Sequence, residues 1–281
     1  MSHWNRVVII GVGLLGGSIA MALKQRGLAN CVAGVGRNAQ RLQQARAAGM
    51  IDETYTDIEP AALDADLVIA CTPVQQIAAD ILSATRWAKP STLFTDVGST
   101  KAAIISELEG KISRGTFVGS HPLAGSEKSG FENARADLFE NRLTLVTPSE
   151  NTPNQATEHT KALWNSLGAQ VREMSPPQHD AVLAVTSHLP HLIASALAAN
   201  TPPDHLDFVA AGWRDCTRIA AGDVELWCQI LRENRRPVLQ AVENFAKVLH
   251  SWQTALENDQ PEQILSLLES GKQIRDQAVG N

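Results

Sequence analysis

Val7-Val8-Ile9-Ile10-Gly11-Val12-Gly13-Leu14-Leu15-Gly16-Gly17-Ser18 decides the fold of this chain. Four apolar, mostly β-branched residues predict a buried strand, and residues 18–26 carry a helical apolar pattern. Between them, Gly11, Gly13 and Gly16 spell G-x-G-x-x-G. Gly11 permits the tight turn out of the strand, Gly13 lets the backbone approach a pyrophosphate, and Gly16 lets the helix pack close to the sheet. The helix N-terminus then faces the phosphates with unpaired amides. Alone, this pattern is a weak signal. Here it follows a strand and opens a helix, the context that a dinucleotide site requires. The competing reading is a glycine-rich turn that binds nothing.

The next strand, residues 31–36, ends at Gly36-Arg37-Asn38. An NAD site usually places Asp or Glu there to hold the ribose 2′-hydroxyl, whereas an arginine accommodates a 2′-phosphate. This chain has no carboxylate at that turn, and Arg41 stands one helical turn beyond Arg37. NADP is the favoured cofactor. With NAD, the alternative, Arg37 would stack on the adenine or be solvated. Strands at 66–71, ending in Thr72-Pro73, and at 92–96 alternate with helices at 39–49, 74–84 and 102–108. This is the pattern of a doubly wound, Rossmann-type α/β sheet, which binds ligands at the carboxyl ends of its strands. The candidate cofactor contacts are Gly11, Gly13, Leu14, Leu15, Gly16, Arg37, Asn38, Thr72 and Pro73.

Two further motifs fall at strand ends. In Asp96-Val97-Gly98-Ser99-Thr100-Lys101, spacing favours Ser99 as the cap of the following helix. In Gly119-Ser120-His121-Pro122-Leu123-Ala124-Gly125, after a strand at 116–118, His121 is a candidate general base titrating near ~6.5, or else a structural histidine.

A strand at 143–146, a helix at 154–167 and a strand at 170–174 lead to Ser175-Pro176-Pro177, where composition breaks. The domain boundary is expected here: a dinucleotide-binding domain over 1–175, then an all-α domain over 176–281. Residues 180–200 predict one long apolar helix, kinked at Pro190 and carrying His188 and His191. Such histidines need partners if buried. Residues 211–220 set Arg214 and Arg218 on one helical face, and Asp223 opens another helix. Apolar spacing over 235–256 and 262–277 fits bundle or dimer packing.

The 281 residues suffice for two cores, and 44% hydrophobic with 19% charged residues fits a globular protein. A net charge of -6 argues against a nucleic-acid partner but leaves room for local arginines to hold a small anion. Cys31, Cys71, Cys216 and Cys228 form no C-x-x-C pair, so neither a zinc site nor a disulfide framework is expected. The N-terminus lacks a signal-peptide core, and no uninterrupted apolar run reaches bilayer length. A cytoplasmic protein without membrane partners is expected.

Taken together, the glycine fingerprint, residues 96–101, His121-Pro122-Leu123-Ala124-Gly125, Ser187-His188-Leu189-Pro190-His191, Arg214-Asp215-Cys216-Thr217-Arg218-Ile219-Ala220 and Trp227 resemble the prephenate/arogenate dehydrogenase family over nearly the whole chain. The resemblance implies oxidative decarboxylation of a dianionic cyclohexadienol, prephenate or arogenate, in tyrosine biosynthesis. It implies that His121 polarises the ring hydroxyl with Ser99 nearby, and that Arg218 binds a substrate carboxylate. His191 and Trp227 would line the pocket, Glu127 would sit close to Arg218, and the helical domain would form a homodimer. No fused mutase or regulatory domain is expected. Two rivals stay open. A β-hydroxyacid-type dehydrogenase would need a lysine in the long helix, and residues 179–200 contain none. A non-enzymatic dinucleotide sensor would not bring Ser99, His121, His191 and Arg218 together.

Overall fold

The computed structural model describes residues 3–125 and 130–279. β1 (Trp4–Ile10) lies at the centre of a six-stranded parallel sheet. It is flanked on one side by β2 (Ala29–Val35) and β3 (Glu53–Tyr55), and on the other by β4 (Leu67–Ala70), β5 (Leu93–Asp96) and β6 (Thr116–Phe117). The order β3-β2-β1-β4-β5-β6 is the Rossmann order. Helices α1 (Leu14–Gln25), α2 (Ala39–Ala47), α3 (Ile58–Ala62), α4 (Val74–Thr85) and α5 (Ala102–Leu108) connect the strands. Successive β1 residues serve two cores: Val7 and Ile9 pack with Ile19 and Leu23, while Val8 and Ile10 pack with Ile77, Ile81 and Phe94. A strand buried on both faces must be apolar throughout, which is why the fingerprint begins Val-Val-Ile-Ile. The short β3 and α3 lack the length to show a period in sequence.

The strand expected at 116–118 is where the chain changes sheets. The Val118 amide still donates to the Phe94 carbonyl (2.9 Å). The next residues form β7 (Gly119–Pro122), antiparallel to β8 (Leu143–Thr147), which pairs in parallel with β9 (Gln170–Glu173). Helix α6 (Asn154–Ser166) joins the last two. His121 therefore sits inside a strand, opposite Leu145, rather than in a turn at a strand end.

Ser175 caps α7 (Pro176–Leu183), its hydroxyl accepting the Gln178 amide (3.3 Å). The long helix does not run on to a simple kink. It widens into a π turn over Ala184–His188 and resumes as α8 (Leu189–Ala199). The wide turn takes up the rung that Pro190, without an amide, cannot complete. By length and composition alone, the run 176–199 could cross a membrane, contrary to the expectation of no such run. Its His179, Asp180 and His188 are buried and hydrogen-bonded within the protein. Helix α9 (Ala211–Thr217) tightens into a 3-10 turn over Arg218–Ala221, and Asp223 caps α10 (Val224–Glu233) by accepting the Leu226 amide (2.8 Å).

Residues 1–234 form one compact unit, which runs past the composition break at Pro176. Residues 235–281 form a second, containing α11 (Arg235–Glu257) and α12 (Pro261–Val279). This second unit exposes Leu239, Leu249, Leu256, Leu265, Leu268 and Ile274.

Candidate active site

Because the large sheet is parallel, the carboxyl ends of β1, β4, β5 and β6 share one edge, and the candidate residues fall along it. Gly11 adopts φ 94°, and a Cβ there would lie 2.8 Å from the Cys71 carbonyl oxygen. A Cβ on Gly16 would collide with the Gly11 carbonyl oxygen. A Cβ on Gly13 would meet nothing within 4 Å, so open space stands over the first turn of α1, where Leu14 and Leu15 begin the helix. No side chain caps that turn. Free amides beneath an open cradle fit a bound pyrophosphate.

At the adenosine end of such a ligand, Arg37 is exposed and its charge reaches Asp80, which accepts the Thr72 hydroxyl (2.6 Å). Pro73 precedes α4, and Asn38 caps α2 by accepting the Arg41 amide (3.0 Å). Arg41 does not stand free beside Arg37. Its guanidinium donates to both oxygens of Glu132 (2.9 Å each) and lies 5.3 Å from the Phe131 ring centroid.

His121 heads a buried polar cluster. β7 is tied to the end of β5 by Ser120, whose hydroxyl donates to the Asp96 carbonyl (2.6 Å) and whose amide donates to Asp96 Oδ1 (3.0 Å). The Lys101 ammonium, fully buried, pairs with Asp96 Oδ2. His121 Nδ1 lies 3.0 Å from His179 Nε2, and His179 Nδ1 lies 2.8 Å from Asp180 Oδ1. The Asp180 carboxylate also accepts the amides of Lys101 (2.8 Å) and Ala102 (2.9 Å), so Asp180 caps α5. Ser99 is not that cap, contrary to its spacing, and lines a cavity instead.

Burial pushes His121 well below the ordinary imidazole range, and His179, Lys101 and His188 add to the effect. Its titration therefore does not stay near the free value expected from sequence. Burial also lowers His179, outweighing Asp180. Burial alone would raise Asp180, but the hydrogen bonds from His179, Ala102 and Lys101 prevail and hold it down. Both imidazoles are thus neutral at neutral pH.

A cavity of about 1150 Å³ brings together Ser99, His121, His191, Arg218 and Trp227. His191 stacks on Trp227, with ring centroids 3.6 Å apart and planes at 13°. Both histidines therefore line the cavity, with the Nδ1 of His188 engaged by Asn234 Nδ2 (3.0 Å) and the buried Nδ1 of His191 unpaired among the described residues. Glu127 lies outside the described residues.

Comparison with known proteins shows the family. Residues 19–173 match the family model "Prephenate dehydrogenase, nucleotide-binding domain" and residues 175–270 match "Prephenate dehydrogenase, dimerization domain". The chain belongs to the prephenate dehydrogenase family. It is 34% identical over 280 residues to the prephenate dehydrogenase of Bacillus subtilis, covering 97% of this chain and 76% of that protein. It is 32% identical to the cyclohexadienyl dehydrogenase of Zymomonas mobilis, covering 98% and 96%. Among solved structures it resembles the prephenate dehydrogenase of A. aeolicus in complex with hydroxyphenyl propionate and NAD+, with a TM-score of 0.90, 32% identity and 98% of each chain covered.

The sequence does not single out several residues of this prephenate dehydrogenase family site. His179, Asp180 and Asn234 meet the site only through pairings of 46 to 79 residues' separation. Arg172 and Met174 reach the cavity from β9 and the residue after it. A signal for His179-Asp180 was present: a histidine-aspartate pair in the first turns of an otherwise apolar helix.

Proposed function

We propose that the chain oxidises and decarboxylates prephenate to 4-hydroxyphenylpyruvate, with the side chains of one cavity performing the substrate chemistry. One observation carries this reading. Ser99, His121, His191 and Arg218, scattered over 120 residues of sequence, line the same cavity. A dinucleotide sensor has no need of that convergence. His121 acts as base on the ring hydroxyl, Ser99 hydrogen-bonds the same region, and Arg218 holds a substrate carboxylate by charge-assisted hydrogen bonds. His191 and Trp227 wall the cavity. Gly11, Gly13 and Gly16 hold the dinucleotide's pyrophosphate, with Leu14, Leu15, Thr72 and Pro73 beside it. The oxidised nicotinamide, when bound, accepts the hydride.

The cofactor end is read from Gly36 and Arg37. No carboxylate occupies the turn after β2, and Arg37 is exposed there, so a 2′-phosphate is accepted and NADP is used as well as NAD, with NADP favoured. Arg41 is paired with Glu132, so Arg37 is the arginine assigned to the 2′-phosphate. The active species is a homodimer formed through the helical region, where the exposed leucines of α11 and α12 are otherwise unaccounted for.

Steady-state rates on prephenate and on arogenate, each with NAD and NADP, test the reading. Turnover of prephenate is expected. Absence of turnover on either substrate with either cofactor would overturn the reading, and arogenate turnover alone would reassign the substrate. Arg37→Ala should weaken NADP by roughly ten- to a hundred-fold, about 1.5–3 kcal/mol, and NAD far less. Equal loss for both would remove Arg37 from that role.

A further inference from the structure

His121 does not stand alone in its strand. Its Nδ1 is 3.0 Å from His179 Nε2, and the opposite nitrogen of His179 is 2.8 Å from Asp180 Oδ1. We propose that His179 and Asp180 are positioning residues that fix the His121 proton on Nδ1 and leave Nε2 bare as the base. This rests on His121 being the base of the proposed reaction. The tautomers follow by elimination along the run. A carboxylate only accepts, and Asp180 already takes the amides of Lys101 and Ala102. The proton between it and His179 must therefore be on His179 Nδ1. A neutral His179 then has a bare Nε2, which can only accept. His121 Nδ1 must supply that hydrogen, and its Nε2, on the ring edge away from His179, carries the lone pair.

Of the groups facing His121, His179, Lys101 and His188 oppose a charge on it, and Asp180 behind His179 is the carboxylate set against them. Lys101, from the turn before α5, is paired with Asp96 at the end of β5. His188, from the π turn, is neutral because it is pushed down to about 4 by burial, with His179 and His191 adding to the effect against Asp180. Asp180 on α7 is left as the carboxylate without a cationic partner. A proton arriving at His121 Nε2 thus enters a cluster with one net negative charge, transmitted through the neutral His179 ring. In the reaction, the C–H pair leaves as hydride to the oxidised nicotinamide. The hydroxyl proton passes to His121 Nε2, and the freed O–H pair becomes the second C–O bond. The C–C pair of the leaving carbon dioxide then aromatises the ring. The oxygen, now a phenolate, takes the proton back from His121. A base that must accept and return one proton in each cycle needs a fixed tautomer and a stabilised but transient imidazolium. The same logic governs a Ser-His-Asp arrangement, with a second imidazole inserted here.

Two measurements test this. The first uses the unaltered protein labelled with 15N-histidine, whose ring nitrogen shifts and couplings report each tautomer at neutral pH. Protonated Nδ1 on both His121 and His179 is expected. A proton on His121 Nε2 would overturn the proposal whatever the substrate proves to be. The second compares pH profiles of wild type, His179→Gln, His179→Leu and Asp180→Asn, with folding checked by dinucleotide titration. In His179→Gln the new amide oxygen would still accept from His121 Nδ1, but the link to Asp180 would be severed. His179→Gln should lower kcat roughly tenfold and move the acid limb to lower pH, with KM and dinucleotide affinity held. His179→Leu should lose roughly a hundredfold or more, because His121 Nδ1 is then unpaired. Asp180→Asn should act like His179→Gln if it folds, and should lose stability as well by uncapping α5. Folded His179 variants with the wild-type plateau and acid limb would end the proposal. An inactive wild type would instead fail the proposed function and leave the tautomer measurement standing.

Discussion

His188 sits in the π turn with its ring buried, and its Nδ1 accepts a hydrogen bond from Asn234 Nδ2 (3.0 Å). The Asn234 amide cannot be turned round, because the same nitrogen donates to the Asp180 carbonyl oxygen (2.7 Å). Protonating His188 Nδ1 would set two donors against each other and place a charge out of water. Burial, with smaller contributions from His179 and His191 against that of Asp180, pushes His188 from 6.5 down to about 4. Its folded value lies below its unfolded one, so the unfolded chain binds the extra proton first as pH falls. The stability is intact above about 6.5 and is lost as pH drops towards 4, by about 3 kcal/mol for this one group near pH 4. The assay is urea unfolding followed by tryptophan fluorescence at one protein concentration, for wild type and His188→Gln. Glutamine can keep an acceptor for Asn234 and does not titrate. All other titrating groups are common to both proteins and cancel. The stability gap between wild type and variant should therefore shift by about 3 kcal/mol between about pH 7 and about pH 4, to the detriment of wild type. A gap that stays constant across that range would refute the reasoning, since it would mean that His188 titrates alike in both states.

Two glycines of the fingerprint should separate by assay. Gly13→Ala, pointing into open space, should melt like wild type yet lose dinucleotide affinity by roughly tenfold or more. Gly16→Ala, driven into the Gly11 carbonyl, should cost the fold about 1–3 kcal/mol in thermal or urea unfolding. Normal dinucleotide binding by Gly13→Ala would remove that turn from the cofactor site. Gly222→Ala would put a Cβ 2.7 Å from Trp227 Nε1 and 3.2 Å from His191 Cε1. It should disturb the His191–Trp227 stack, raising KM for the substrate while leaving dinucleotide affinity unchanged. An unaltered KM would mean that the stack does not touch substrate.

The parts of the fold that were legible in sequence are those specified by neighbouring residues. Val7 to Gly16 encode strand, turn and helix within a dozen positions, and Asp223 caps the helix that its spacing foretells. Ser99 shows the limit of that logic. It has the type and position of a cap, but Asp180, 78 residues from Ala102, takes the amides first with a full negative charge. Val118 is another such place. Nothing local marks it as the point where the chain leaves one sheet for another, because that depends on β8 being available to pair with β7. The ion pair of Arg41 is hidden for the same reason, its partner Glu132 being 91 residues away.

Asp180 also bears on where the chain divides. The family models meet between residues 173 and 175, at the composition break, yet the compact unit continues to Asn234. One carboxylate accounts for much of that continuity. It closes the first turn of α5, orients His179 behind His121, and its backbone carbonyl holds Asn234, which in turn holds His188. A helix placed after the nucleotide-binding sheet thus completes both the fold of the sheet's carboxyl edge and the surroundings of the base. Cutting between the two segments would leave the Lys101 and Ala102 amides without their acceptor and His121 Nδ1 without a partner, in a setting where each unpaired buried group costs about 1–3 kcal/mol. His121 therefore has its Nδ1 partner only when the helical segment is docked. Asp180 thus links the carboxyl edge of the sheet, where Ser99 and His121 lie, to the helices that bring His188, His191 and Arg218 to the same cavity.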